Sequence, residues 1–281
     1  MVSCKKLIAA VIVIAGLGVV AGFCYKDFQR FCDSTVPVLA YHRVEPAKPD
    51  DTYTVPPETF EKQMAYLHAA GYKTINLDQY VVARKKGQQF HKNIVLIFDD
   101  GYLDNLTVAA PIMKKYGFTG SMYMAVKFEG WPGYIDWHQQ YDLLKYGWEI
   151  GSHTFNHEPL PTLSEAALKD DLAKSKEYIM GIYNPPTGIT LSYPTGATNA
   201  KVMKAVEEAG YIAAVSGNVG VNTDTTPFMA LRRVNIFNYR KMQKIEMFKL
   251  AIVKAQLKSW SASHGLDLVG IWDRLRGNAK S

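Results

Sequence analysis

Cysteine is scarce in this chain, and none follows position 32: Cys4, Cys24 and Cys32 are the only ones in 281 residues. A disulfide framework for the bulk of the chain is therefore excluded, and the fold must rest on a hydrophobic core, which this length can supply. Export stays open, because an oxidising compartment permits disulfides without requiring them. Internal repeats, low-complexity segments and a second-domain boundary are also missing. The net charge of +6 is basic, yet no DNA- or RNA-binding motif accompanies it, so nucleic acid is not an expected partner.

Charge is absent altogether from Leu7 to Cys24, with Lys5 and Lys6 before the run and Lys26 and Arg30 after it. That is the pattern of a secretory signal or a membrane anchor. At about 1.5 Å per helical residue, such a run spans most of a hydrocarbon core of about 30 Å. Val19-Val20-Ala21 makes only a passable cleavage site, and Phe23 is too large to precede a lipid-modified Cys24. An uncleaved N-terminal hydrophobic helix followed by a connector is expected within residues 1–33, with cleavage and secretion as the alternative. The expected location is the cell membrane, with the remaining chain extracytoplasmic.

Beyond the leader, strands and helices alternate. "VPVLAYHRV" reads as a first strand, and "PETFEKQMAYLHAAGY" as an amphipathic helix with Phe60, Met64 and Leu67 three or four apart, stopped by Gly71. "NIVLIFDD" is a nearly unbroken apolar strand, as expected when both faces are buried. "SEAALKDDLAKSKEYIMGIY" is a helix capped by Ser164, and "LRRVNIF" is a late strand. This alternation predicts a parallel sheet with crossover helices. About seven such units favour a closed or partly closed barrel over an open sheet. The tail from Ser261 is weakly patterned.

Two carboxylates, Asp99 and Asp100, end the apolar strand. Burying like charges side by side is costly unless something compensates. "GSHTFNH" supplies His153 and His157, four apart and also just past a strand. Two histidines and one carboxylate would hold a divalent metal and leave positions open for water and substrate. The adjacent carboxylates can then divide the labour, one as ligand and one as base. His42 falls at the end of the first strand, and barrels carry their active residues at such ends.

"FDDG" and "SHTFNH" resemble the first two motifs of the polysaccharide deacetylase family (NodB homology, carbohydrate esterase family 4), and the resemblance runs from about Val36 to Phe248. It implies a distorted (β/α) barrel of fewer than eight units, an α/β fold of about seven here. It implies removal of acetyl groups from N-acetylglucosamine residues of a glycan. Asp99 would be the general base, and Asp100, His153 and His157 would bind a divalent metal, zinc by expectation. The catalytic domain would cover residues 34–250, followed by a C-terminal helix and tail over 251–281.

The third motif departs from the family pattern of Arg-Pro-Pro-Tyr-Gly. Here "SYPTG" puts Ser192 where an arginine would orient the base, and Thr195 where a tyrosine would stand. "LRRVNIF" offers Arg232 and Arg233 as substitutes, and Arg233 is favoured by similarity to the arginine that opens an "R-[IV]-x-[VI]" strand in a circularly permuted branch. The Thr195 N–H could still donate to an oxyanion. The late histidine motif is missing, leaving His264 in the tail or His42 as the acid. The layout of His42 in "YHRV", with "VPPETFEKQMAYLHAAGYKTINLDQ" after it, resembles that branch, whose members deacetylate poly-β-1,6-N-acetylglucosamine. His42 is accordingly the expected acid. Tyr102, Tyr193, Trp131 and Trp137 are expected to line the sugar groove, since sugar faces stack on rings.

The expected activity is metal-dependent N-deacetylation of an extracellular N-acetylglucosamine polymer by a membrane-held monomer. Poly-β-1,6-N-acetylglucosamine leads as substrate, with peptidoglycan second. A glycan-binding protein that has lost turnover is the rival reading.

Overall fold

The computed structural model describes residues 21–46, 51–238 and 244–275. Most of the expected hydrophobic helix lies outside these residues. Among the described residues, no helix is long and apolar enough to cross a membrane. The chain enters through a helix, α1 (21–34). Then follow β1 (Val38–Tyr41), α2 (Pro57–Ala69), β2 (Lys73–Thr74), α3 (Leu77–Lys85), β3 (Asn93–Phe98) and α4 (Ala110–Lys115). Next come β4 (Ser121–Met124), α5 (Trp137–Lys145), β5 (Glu149–Ser152), α6 (Glu165–Ile182), β6 (Thr190–Ser192) and α7 (Ala200–Glu208). The series ends with β7 (Ala213–Val219), β8 (Leu231–Asn235), α8 (Ile245–Ser263) and α9 (Leu268–Leu275).

The parallel strands pair in the order β1-β8-β7-β6-β5-β4-β3, and β3 pairs back onto β1. That closes a ring of seven, as the strand-helix alternation predicts. The closing seam runs in register from Val38↔Val95 to Tyr41↔Phe98. The short β2 lies outside the ring, against the start of β3.

Each strand feeds two cores, because side chains alternate sides with a period of two. On β3, Ile94, Leu96 and Phe98 pack outward under the helices. Val95 and Ile97 point into the barrel, where they meet Val38, Ala40, Tyr123, Ala213, Val215 and Leu231. This double burial explains why β3 is apolar from Ile94 to Phe98. Each fully buried residue of this kind contributes roughly 1.5–3 kcal/mol. The helices close the outer layer: α2 buries Phe60, Met64 and Leu67, and α6 starts where Ser164 Oγ accepts from Ala167 N–H.

Two expectations about the C-terminal region change. The helix α8 crosses residue 250 and packs Phe248, Ile252 and Ala255 into the outer core, so barrel packing extends past the expected boundary. The stretch after Ser261, weakly patterned in the sequence, completes α8 and then forms α9. At its other end the molecule ties α1 to α8. Trp260 Nε1 donates to Asp27 Oδ2 at 2.7 Å, His264 Nε2 lies 3.3 Å from the same oxygen, and Phe28 meets the Trp260 ring edge-on.

Candidate active site

The period that builds the inner core also builds the site. Continuing inward positions past the strand ends gives Val38, Ala40 and then His42 on β1. The same count gives Val95, Ile97 and then Asp99 just past β3, and on β8 it leads from Leu231 to Arg233 within the strand. On β5, Glu149 faces inward and bonds Thr190, so His153 follows on the same side. All four side chains therefore converge on one end of the barrel. All are buried, Asp99 most deeply at 1% exposure.

Asp99 is held on the seam by its N–H, which donates to Tyr41 O at 3.0 Å. The chain then turns sharply through Asp100 and Gly101, both with positive φ (76° and 87°). A Cβ on residue 101 would lie 2.7 Å from Met124 Sδ, so this turn requires glycine. Beyond β5, Thr154 and His157 also adopt left-handed backbone (φ 67° and 58°). Such conformations cost energy and cluster at functional sites. Asp171 of α6 pins this loop by accepting from the N–H groups of Phe155 and Asn156 at 2.8 and 3.0 Å and from Asn156 Nδ2 at 2.8 Å. Sequence reading missed Asp171. Its one signal is an aspartate on the buried stripe of α6, between Leu168 and Leu172.

These turns bring Asp100, His153 and His157 together. Asp100 Oδ1 lies 3.1 Å from His157 Nε2 and 3.5 Å from His153 Nε2. One potential ligand atom from each residue falls within 4.8 Å of the others. The donor set suits a first-row divalent ion. His153 Nδ1 donates to Ser192 O at 2.7 Å, which leaves Nε2 with its lone pair toward the cluster. Burial lowers the His153 pKa, against the pull of Asp99 and Asp100, and so favours the neutral, ligating form. Burial acts on Asp100 in the opposite sense, but the His157 hydrogen bond and the neighbouring imidazoles hold its carboxyl well below the usual range. The residues present therefore fit a metal ion.

Asp99 stands beside this cluster with different partners. Arg233 Nη1 donates to Asp99 Oδ2 at 2.7 Å and to Ser192 Oγ at 3.3 Å. Asp99 Oδ1 is buried and has no hydrogen-bond partner among the described residues. Burial opposes its ionisation, yet the attraction of His153, Arg233 and His42 outweighs this and lowers the pKa. Arginine is the permanent cation of the three. One oxygen is thus tied to a cation and the other is free to take a proton.

The polysaccharide deacetylase family model matches residues 86–214, the stretch that carries the two aspartates, both clustered histidines and Ser192. The YxkH protein of Bacillus subtilis (strain 168), provisionally assigned as a polysaccharide deacetylase, is 31% identical over 202 residues, covering 72% of this chain and 71% of that protein. The chain belongs to the polysaccharide deacetylase family. This deacetylase is accordingly a hydrolase. It is also 25% identical over 208 residues to the poly-β-1,6-N-acetyl-D-glucosamine N-deacetylase of Staphylococcus aureus, covering 64% of this chain and 71% of that protein. The Streptococcus pyogenes deacetylase PplD, solved in complex with acetate, shares the fold at a TM-score of 0.69 and 23% identity, over 76% of this chain and 98% of that one.

Ser192 and Arg233 meet at the site from β6 and β8. Ser192 leaves room at the end of β6, and Arg233 enters that room from β8 to reach both Ser192 and Asp99. Arg232, the other candidate, lies on the opposite face and donates to Ser259 of α8. Thr195 is exposed at the end of β6 with φ 58°. His42 sits against the Tyr53 ring at 4.8 Å and Phe237 at 6.3 Å, and its attraction reaches both Asp99 and Asp100. His264, the alternative acid, is instead engaged with Asp27 and Trp260 at the α1–α8 joint.

The expected aromatic groove divides. Tyr102 lies at the site, 4.8 Å from Tyr134, with the Arg43 guanidinium 4.2 Å from its ring centre. Trp131 is half-exposed and packs on Phe128, which in turn touches His157 at 5.6 Å. Arg43, Tyr134 and Phe128 are thus added to this wall. Tyr193 must be withdrawn from it. It is fully buried on the outward parity of β6, in the core beneath the helices, and its hydroxyl donates to Met229 O. Trp137 stacks on its own helix neighbour His138 and meets Tyr141 edge-on, and no contact joins it to the cluster among the described residues.

Proposed function

We propose that the chain is a metal-dependent deacetylase that removes N-acetyl groups from an N-acetylglucosamine polymer outside the cell, with poly-β-1,6-N-acetylglucosamine as its substrate. The observation that carries this reading is Asp99, bound to Arg233 through one oxygen and free at the other, beside the Asp100–His153–His157 cluster. Similarity to the staphylococcal enzyme supports the choice of polymer. The uncharged run from Leu7 to Cys24 supports membrane attachment, with the barrel on the extracytoplasmic side.

A divalent ion on Asp100, His153 and His157, zinc in our reading, would polarise the acetyl carbonyl and acidify a water molecule. Asp99 takes the proton from the attacking water on its free oxygen. Arg233 keeps Asp99 ionised and aimed. The Thr195 N–H donates to the oxyanion that develops on the carbonyl. His42 protonates the departing amine nitrogen, without which that group is a poor leaving group. Tyr102 and Trp131 carry the apolar face of the sugar.

The direct test is acetate release from a β-1,6-linked N-acetylglucosamine oligomer by the full chain with added divalent metal. Release is expected from that oligomer and not from an N-acetylated peptidoglycan fragment. The reverse preference would move the substrate to peptidoglycan. No release from either, with metal bound, would favour a binding protein.

Arg233→Met should move the acidic limb of the pH–rate profile upward by about one to three units, the usual effect of one close opposite charge. The sign follows from the base, which works only when ionised. Removing the cation raises the Asp99 pKa, so activity is lost at a higher pH as pH falls. An unmoved limb would mean that Arg233 does not hold the base.

A further inference from the structure

We propose that Asp104 and Asn105 are positioning residues that set His42 opposite Asp99 by gripping the main chain at its own carbonyl and at the amide two residues on. The proposal rests on the reading of His42 as the acid. Asn105 Nδ2 donates to His42 O at 2.8 Å, and Asp104 Oδ1 accepts from Val44 N–H at 2.7 Å. The two clamp residues are themselves joined, Asn105 Nδ2 to Asp104 Oδ1 at 2.8 Å. Asn105 is fully buried.

His42 needs such a device because the sheet stops supporting it. The regular pairing of β1 ends at Tyr41, whose carbonyl accepts from Asp99 N–H. Beyond it the pairing continues as an isolated Arg43–Thr54 bridge, with Arg43 N–H to Tyr53 O at 3.3 Å and Val55 N–H to Arg43 O at 2.9 Å. A catalytic imidazole is commonly aimed by a hydrogen bond to its second nitrogen. Here His42 Nδ1 is buried and has no partner among the described residues. The rings of Tyr53 and Phe237 fill space around the imidazole without fixing its direction. Orientation then falls to the backbone, and the clamp is what grips it. The clamp also follows Asp99 and Asp100 by only a few residues, through the turn at Gly101. One segment therefore carries the base, a metal ligand and the grip on the acid, so their separation is set by a single piece of chain.

The test compares two substrates with the full chain loaded with metal. Release of an amine requires protonation, whereas an aryl acetate ester expels a phenolate that needs none. Asn105→Ala should lower kcat on the β-1,6-linked amide oligomer by about 10²-fold, the scale of a misplacement near 1 Å. KM, metal content and kcat on 4-nitrophenyl acetate should stay within about twofold. Asp104→Ala should behave likewise, and Asp104→Asn, which keeps an acceptor for Val44 N–H, should restore the amide rate. In a His42→Ala background, Asn105→Ala should add no further loss, since residues that act through one another are not additive. Equal losses on ester and amide, or additive losses with His42→Ala, would reduce the clamp to a structural feature and overturn the proposal. Full amide turnover by His42→Ala would instead remove the acid reading, and the clamp with it. Should Asn105→Ala not fold, the Asp104 pair carries the same comparison from a less buried position.

Discussion

Asp99→Asn is expected to lower amide hydrolysis by about 10²- to 10⁴-fold, the span of general-base catalysis, while metal content stays at the wild-type level. The substitution is nearly isosteric. Its amide oxygen can still accept from Arg233 Nη1, which sits 2.7 Å from Asp99 Oδ2 in the native protein. What disappears is the ionised oxygen that has no partner, and with it the proton acceptor. The Asp100–His153–His157 cluster does not include Asp99, so it should be undisturbed. Acetate release and metal analysis on the same preparation decide the matter. A variant that kept more than a tenth of wild-type turnover would show that the base lies elsewhere. A variant that lost its metal would show that Asp99 is a ligand.

The second large effect separates the two histidines. His157→Ala should abolish metal retention and activity while thermal stability changes little. The side chain is partly exposed, and its contacts are Asp100 and the neighbouring rings. His153→Ala should lose metal as well, and should also cost about 1–3 kcal/mol of stability, because Ser192 O would be left buried without its donor. Metal-free protein prepared with a chelator is the fair reference for both melting curves, since bound metal stabilises the folded state by mass action. Equal metal content in wild type and His157→Ala would defeat the assignment of the cluster.

The two short motifs were legible because each is contiguous, so its spacing survives in the sequence. "FDDG" and "SHTFNH" each sit on one turn, and each turn holds residues with positive φ. The seven-strand ring was legible from alternation of elements. Arg233 was harder, lying 134 residues from Asp99. Parity separates it from Arg232: Leu231 faces the barrel interior, so the residue two along faces it too. The same count corrects Tyr193, which is one residue past the inward-facing Ser192 and therefore points outward into the helix layer. Asp104 and Asn105 were illegible for another reason, and Asp171 showed only as an aspartate on a buried helix stripe. They act through main-chain groups of distant loops, which leave no trace in side-chain identity. The α9 helix escaped notice because, in a short segment, apolar spacing competes poorly with glycine and charge.

The joint between α1 and α8 gives the molecule a handle. α1 leads into the start of β1, whereas Asp99 and His42 lie past the opposite strand ends, where Arg233 of β8 meets Asp99. Asp27 couples that helix to Trp260 and His264, so α1 is no loose tether. Any restraint on the residues before it passes through α8 into the frame of the barrel. In the membrane attachment proposed above, such a restraint would set the bearing of the barrel mouth as well as its position, with the mouth facing away from the membrane, so that a long chain is taken up from beyond rather than beneath.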